Sequence, residues 1–377
     1  MAFKPEQLIT REFILDRNGE IAFCRLSLAD PAHDAVMPFM LRLANIEAPE
    51  SVYLLPADWV QDVVLFKKLA RDMLLLTDAG MLAAPVVTAA REAGFRIVAR
   101  LQAGEARSAD SDFVLASLHD GVVPDPDTIY SGVNNLQDFE RARASVAMYY
   151  CGPYFMQSAP QHAGKSIHPG HALILEIMAA LQQEADPRAI ETLFKRDVTL
   201  TFKLLRYINS PWFGLASRVE SVRHALSIIG SQQLLKWLSL LALTAGQGAS
   251  PALTRSAMVR AKLMELAGAR LPEKRDSDHL FLTGMLSLLD RIMGIPLPQI
   301  LERANLPETV SEALLHGEGR FHRYLLLAQV CEGLLPLPEP TRAQWLDALS
   351  EFDLRAINIA HLEAIEWATQ VSRTSLQ

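Results

Sequence analysis

The stretch Asp197-Val-Thr-Leu-Thr-Phe-Lys-Leu-Leu-Arg-Tyr-Ile-Asn209-Ser210-Pro211-Trp212-Phe213-Gly214, continued by Leu215 to Gly230, decides the reading of the second half of the chain. Leu200, Leu204, Leu205 and Ile208 recur at helical spacing, and Asp197 stands where its carboxylate can accept from the first unpaired amides. The segment 209–214 breaks that pattern. Pro211 forbids continuation, Asn209 and Ser210 can satisfy backbone groups at a helix end, and Trp212 with Phe213 can fold under the corner as apolar anchors. A second helical pattern runs to Gly230, which suits a left-handed C-terminal cap. The stretch is predicted to be a helix, a rigid corner and a helix. Beside this architectural reading stands one alternative, a partner-binding patch centred on Trp212.

Working outward, helical patterns fill the chain from His171 onward: 172–183, 190–194, 198–208, 222–229, 232–244, 252–267, 278–293, 308–315, 324–334, 342–349 and 354–371. No strand pattern competes, so residues 171–377 are expected to form an all-α bundle. The closing helix is amphipathic, which suits packing on its own bundle or, alternatively, formation of a homo-oligomer. Residues 1–155 alternate instead between short β-like runs at 21–28, 52–55, 74–77, 95–101 and 113–117 and helical runs at 58–71, 84–93 and 136–144. This predicts a multidomain chain whose N-terminal α/β domain is a parallel sheet or a barrel related to the TIM barrel. At this length closure is left open, since a full eight-fold barrel takes about 250 residues. Between them, residues 156–170 are rich in turn formers and are read as a linker.

Composition limits what such a chain can do. Of its 377 residues half are hydrophobic and 21% charged, with a formal net charge of -7, as in a globular protein rather than a disordered one. Without a basic excess, strong nonspecific nucleic-acid binding is not expected. The basic groups Lys67-Lys68 and Arg270 with Lys274-Arg275 read as solvated helix ends. The most apolar run, Leu234 to Ala245, contains Lys236 and falls short of the roughly twenty residues of a membrane span. With no apolar secretory core at the N-terminus, a cytoplasmic location is expected. Cys24, Cys151 and Cys331 are odd in number and far apart, as reduced thiols would be.

Read together, Arg196-Asp197-Val-Thr-Leu, Leu204-Leu-Arg-Tyr-Ile-Asn-Ser210 and Ala225-Leu-Ser-Ile-Ile-Gly230 resemble the HDOD family, a helical output domain descended from HD-type phosphohydrolases. The resemblance runs from about Ala172 to beyond Glu332. Those hydrolases need a vicinal His-Asp pair and outlying ligands to bind the metal that activates water. Here Ser287-Leu288 stands in the pair's place, and His279 and Asp290, about three helical turns apart, cannot share one ion. His316, Glu318 and His322 could offer three ligands, but the resemblance puts them on a helix-to-helix connection where Gly317 and Gly319 serve the turn. His162, His168 and His171 are likewise read as structural.

The N-terminal half resembles the shortened EAL domains that precede HDOD in some bacterial signalling proteins. Arg11-Glu-Phe-Ile-Leu-Asp-Arg-Asn-Gly-Glu-Ile21 looks like the family's opening, Ala93-Gly-Phe-Arg-Ile-Val98 like the strand before its Asp pair, and Cys151-Gly-Pro-Tyr-Phe155 like its closing element. Hydrolysis of cyclic di-GMP needs carboxylates to hold a divalent metal. Carried across, the signature Glu falls at Cys24, a later metal-binding Glu at Phe66, the paired Asp at Arg100 and Leu101, the catalytic Lys near Leu115 and a further Glu near Asn134. No shift of one residue restores an acidic set. Cys24 as a nucleophile lacks a His base near it in sequence and reads as a buried thiol. The resemblances imply a regulatory signalling protein that is not an enzyme, has no cofactor and works through protein partners. The candidates for structural or partner-binding roles are Arg196, Asp197, Asn209, Ser210, Trp212, Gly214 and Gly230. The alternatives are residual phosphodiesterase or phosphohydrolase activity, and a cyclic di-GMP receptor without turnover.

Overall fold

In a computed structural model of the chain, residues 7–29, 33–46, 49, 51–60, 68–69, 73–157, 167–210, 213, 218–244, 250–333 and 348–375 are described. Eight strands close into a barrel in chain order: β1 (Thr10–Asp16), β2 (Ile21–Ser27), β3 (Tyr53–Pro56), β4 (Leu74–Asp78), β5 (Arg96–Arg100), β6 (Phe113–Ser117), β7 (Thr128–Ser131) and β8 (Tyr149–Cys151). β1 runs antiparallel to both its neighbours, and β2 to β8 pair in parallel. The closure left open by chain length is therefore complete before residue 152, because the strands are only three to seven residues long. Alternation turns Ile14, Phe23, Leu76, Val98, Leu115 and Cys151 into one buried cluster inside the barrel. At the amino end of the parallel strands Phe23, Phe113 and Tyr149 meet at 5.2–5.7 Å between ring centroids, and Arg96 lies over Phe23 and Phe113.

β1, β7 and β8 are absent from the predicted strands. Arg11 and Glu12 interrupt the apolar pattern of β1, and β8 has only three residues, so neither shows a clear period of two. Of the expected helix 58–71 only 58–60 and 68–69 are described, with Ala57–Trp59 a single 3-10 turn. An unpredicted helix, His33–Ala44, follows β2. Gly152 ends β8 at φ 147°, where an added Cβ would stand 2.1 Å from the Val133 carbonyl oxygen. No other residue fits that approach without moving the backbone. It lets the chain turn so that Tyr154 stacks on Phe139 at 4.5 Å.

The chain divides into two compact units, and not at one boundary as expected. One unit comprises Met1–Gln157, Ser250–Arg270 and Arg323–Gln377; the other comprises Ser158–Ala249 and Leu271–His322. Helices Pro251–Ala267 and Leu354–Ser375 are thus part of the barrel unit, where they pack on each other, and the second also packs on His33–Ala44. This corrects the assignment of 171–377 to a single bundle and of the closing helix to that bundle. The physical reason lies in the polar residues of its buried face. Asn358 accepts from the Ile9 amide at 2.9 Å and donates to the Gln7 carbonyl, and the Tyr53 hydroxyl donates to Glu366. Arg255 donates to Thr369 and Ser372. Amphipathicity shows that a face must be covered but not by what.

The second unit is helical: Pro169–Gln182, Pro187–Phe194, Val198–Ile208, Val222–Thr244, Lys274–Leu286, Leu289–Met293, Leu297–Ala304 and Glu308–Ser311, the last extended by a π turn to His316. The predicted helix 278–293 is broken at Ser287-Leu288, and 297–304 is one the sequence pattern missed. Val222–Thr244 has the length and hydropathy of a membrane span, but Gly230 divides it and Leu234, Leu238, Ala242 and Leu243 are buried. Most of the expected helix 342–349 lies outside the described residues.

Candidate functional site

At the carboxyl ends of the parallel strands, where barrel enzymes carry their chemistry, the interior positions hold ion pairs. Arg25 of β2 faces Glu12 of β1 across their register pair, with Nη1 3.1 Å from Oε2. Arg100 closes β5 beside Asp78, which closes β4, at 3.3 Å. Below them Leu115 fills the interior. Each of these two carboxylates is neutralised by a guanidinium held on the neighbouring strand. Among the described residues, no three His, Cys, Asp or Glu side chains are grouped as a metal site requires.

Strand parity revises the position-by-position reading. Cys24 pairs in register with Phe13 and turns outward, close to Arg11, Arg255 and Glu366, and it is the adjacent Arg25 that points inward. Burial pushes the Cys24 thiol up to about 12, with Arg11 and Arg255 opposing, so it is no thiolate at neutral pH. Leu101 likewise lies outside the barrel with Val114 and Ala116. Asn134 precedes helix Leu136–Ala144, its amide donating to Asp138. Phe66 lies outside the described residues. The three cysteines are free and buried. Sequence reading missed the pairs Glu12–Arg25 and Asp78–Arg100. The period of two along β2 is the signal that could have replaced Cys24 by Arg25.

In the helical unit the corner residues have defined structural duties. Asp197 caps helix Val198–Ile208, accepting from the Leu200 amide at 3.0 Å, and Arg196 makes an exposed, two-pronged contact with Glu176 at 2.8 and 2.9 Å. Asn209 is a staple. Its Nδ2 donates to the Leu205 and Val219 carbonyls, and its Oδ1 accepts from the Val219 amide at 2.8 Å. The Ser210 carbonyl accepts from the Phe213 amide, and Phe213 meets Tyr207 edge-on, which in turn stacks on Trp237. Trp212 and Gly214 lie outside the described residues. Gly230 has φ 73° and ψ 169°, so it bends the chain between two helical segments in a glycine-only region and is not the expected left-handed cap.

Ser287 and Leu288, which the resemblance puts at the place of the His-Asp pair, have structural surroundings: the Ser287 hydroxyl donates to the Gly284 carbonyl and Leu288 is fully buried. His279 is buried with Nε2 unpartnered, and burial lowers its pKa. Gly317 and Gly319 adopt φ 65° and 75°, consistent with a turn, while His316 and Glu318 are exposed and His322 is partly buried. His168 accepts from the Gly170 amide and His171 bonds the Ala242 carbonyl. His162 is outside the described residues.

Fold and site together define a protein with a closed α/β barrel unit and a separate helical unit. The family model of the HDOD domain matches residues 169–294. That match runs through helix Pro251–Ala267, which clusters with the barrel unit. Cyclic di-GMP phosphodiesterase CdgJ of Vibrio cholerae is 25% identical over 248 residues, 64% of this chain and 55% of its own length. YuxH of Bacillus subtilis, an uncharacterized protein, is 23% identical over 223 residues, 57% of this chain and 52% of its own. The chain spans about half the length of these relatives. An HDOD domain protein of unknown function from Geobacter sulfurreducens aligns at 15% identity and a TM-score of 0.36, over 55% of this chain and 93% of that one.

Proposed function

We propose that this chain is a non-catalytic regulatory protein of bacterial cyclic di-GMP signalling, in which a degenerate EAL-like barrel and an HDOD-containing helical region act through protein contacts. The observation that carries this reading is the charge at the barrel mouth. Arg25 and Arg100 stand at strand positions that face the barrel axis, Arg25 paired with Glu12 in a partly buried contact and Arg100 with Asp78 in an exposed one. A divalent ion there would meet two guanidinium groups whose charge opposes its own. Binding energy rather than bond chemistry then carries the signal. The activity for which CdgJ is named supports the signalling context. A receptor that holds cyclic di-GMP without turnover is the second reading, favoured by Arg100, a cation at the mouth that a phosphate can meet.

The purified chain, incubated with cyclic di-GMP and magnesium or manganese, is expected to leave the nucleotide intact by chromatography. Turnover abolished by Arg100→Ala would defeat the proposal. Calorimetric binding at micromolar nucleotide without turnover would select the receptor.

A further inference from the structure

A pocket of about 260 Å³ opens beside the barrel mouth, between β1, β2 and the turn after β8, with walls that include Arg11, Glu12, Phe13, Arg25, Phe155 and Glu332. All of its lining belongs to the barrel unit. Arg11 is the unusual group. It is 3% exposed, its Nη2 reaches Glu332 Oε1 at 3.2 Å, and its Nη1 is buried with no partner among the described residues. Glu332 cannot serve it better, because Arg260 already holds that carboxylate with Nε on Oε1 at 2.8 Å and Nη2 on Oε2 at 2.7 Å. Arg25 also has a buried, unpartnered Nε.

Among the described residues the ion pairs here set Arg11, Arg25 and Arg260 against Glu12 and Glu332, three positive groups and two negative ones. A buried guanidinium with an open donor beside a cavity favours an anion, and a guanidinium fork suits the oxygens of a carboxylate or phosphate. The rest of the wall combines apolar Phe13, Phe155 and Met156 with the hydroxyl residues Thr10, Ser27 and Ser256, and Arg11 lies 4.5 Å from the Phe13 ring centroid. The volume is just below the range of ordinary small-molecule sites, which suits one ring or a short chain with a single charged head.

We propose that this pocket binds a small organic oxyanion, its carboxylate or phosphate taken by Arg11 and its apolar body held between Phe13 and Phe155. The site shares Glu12 and Arg25 with the barrel mouth, but an oxyanion on Arg11 does not depend on whether the barrel turns over cyclic di-GMP. Calorimetric titration of the whole chain with phenyl phosphate and with benzoate tests it. Saturable binding of either probe at one site is expected, phosphate preference or carboxylate preference naming the source of the oxyanion. Arg11→Met is expected to weaken binding by about tenfold or more, as loss of a charged hydrogen-bonding group does. Should Arg11→Met not fold, Arg25→Gln and Phe155→Ala, at less buried positions, are each expected to weaken it by about threefold or more. Failure of both probes to bind at millimolar concentration, or binding unchanged in the folded variants, would overturn the proposal.

Discussion

His361 shows how a single buried side chain sets a pH response. It is 1% exposed on the closing helix, and Nδ1 lies 3.1 Å from the Ile9 carbonyl oxygen, so Nδ1 carries the proton and donates while Nε2 has no partner. Burial pushes its pKa down to about 3, Arg11 adds to the shift, and the Ile9 bond opposes it. In the unfolded chain an imidazole titrates near 6.5. Between those two values the unfolded state binds the extra proton, so this contribution to stability is present above about pH 6.5 and falls as pH falls. From pH 7 to pH 5, His361 is expected to remove about 2 kcal/mol of stability. Urea unfolding of the parent and of His361→Gln at both pH values checks this, and an equal pH loss in the two proteins would contradict it. Glu332 illustrates the opposite economy: a carboxylate shared by two buried arginines keeps their charges in the interior.

At the scale of elements, the corner after helix Val198–Ile208 depends on Asn209 joining that helix end to Val219. Asn209→Ala leaves the Val219 amide and carbonyl without that partner and is expected to cost about 2 kcal/mol in chemical denaturation. Arg196→Ala, which loses an exposed ion pair, is expected to cost less than about 1 kcal/mol. Equal costs would contradict the staple. The cap at Asp197 and the Asn209 corner were legible in sequence because capping and turn chemistry are local. β1 was not, since Arg11 and Glu12 find their partners on opposite faces of the strand, Arg11 on Glu332 far along the chain and Glu12 on the neighbouring strand. The mouth pairs were hidden for the same reason. Gly230 was legible as a break but not in its conformation, because a left-handed cap and a bend at ψ 169° ask for the same residue.

At the scale of the whole molecule, two units are woven from non-consecutive segments, and the HDOD-matched stretch contributes helix Pro251–Ala267 to the barrel unit. That helix carries Arg260, which shares Glu332 with Arg11 beside the pocket. An anion on Arg11 would therefore alter the electrostatic surroundings of a helix inside the matched segment. At the mouth of the barrel, arginines stand beside the carboxylates that could have held a metal. Titration of Mn2+ with the purified chain, followed by electron paramagnetic resonance, tests most directly whether a metal binds there. The signal of hydrated manganese is expected to persist at micromolar concentrations of ion and protein. Stoichiometric loss of that signal, restored by mutating Glu12 or Asp78, would contradict it.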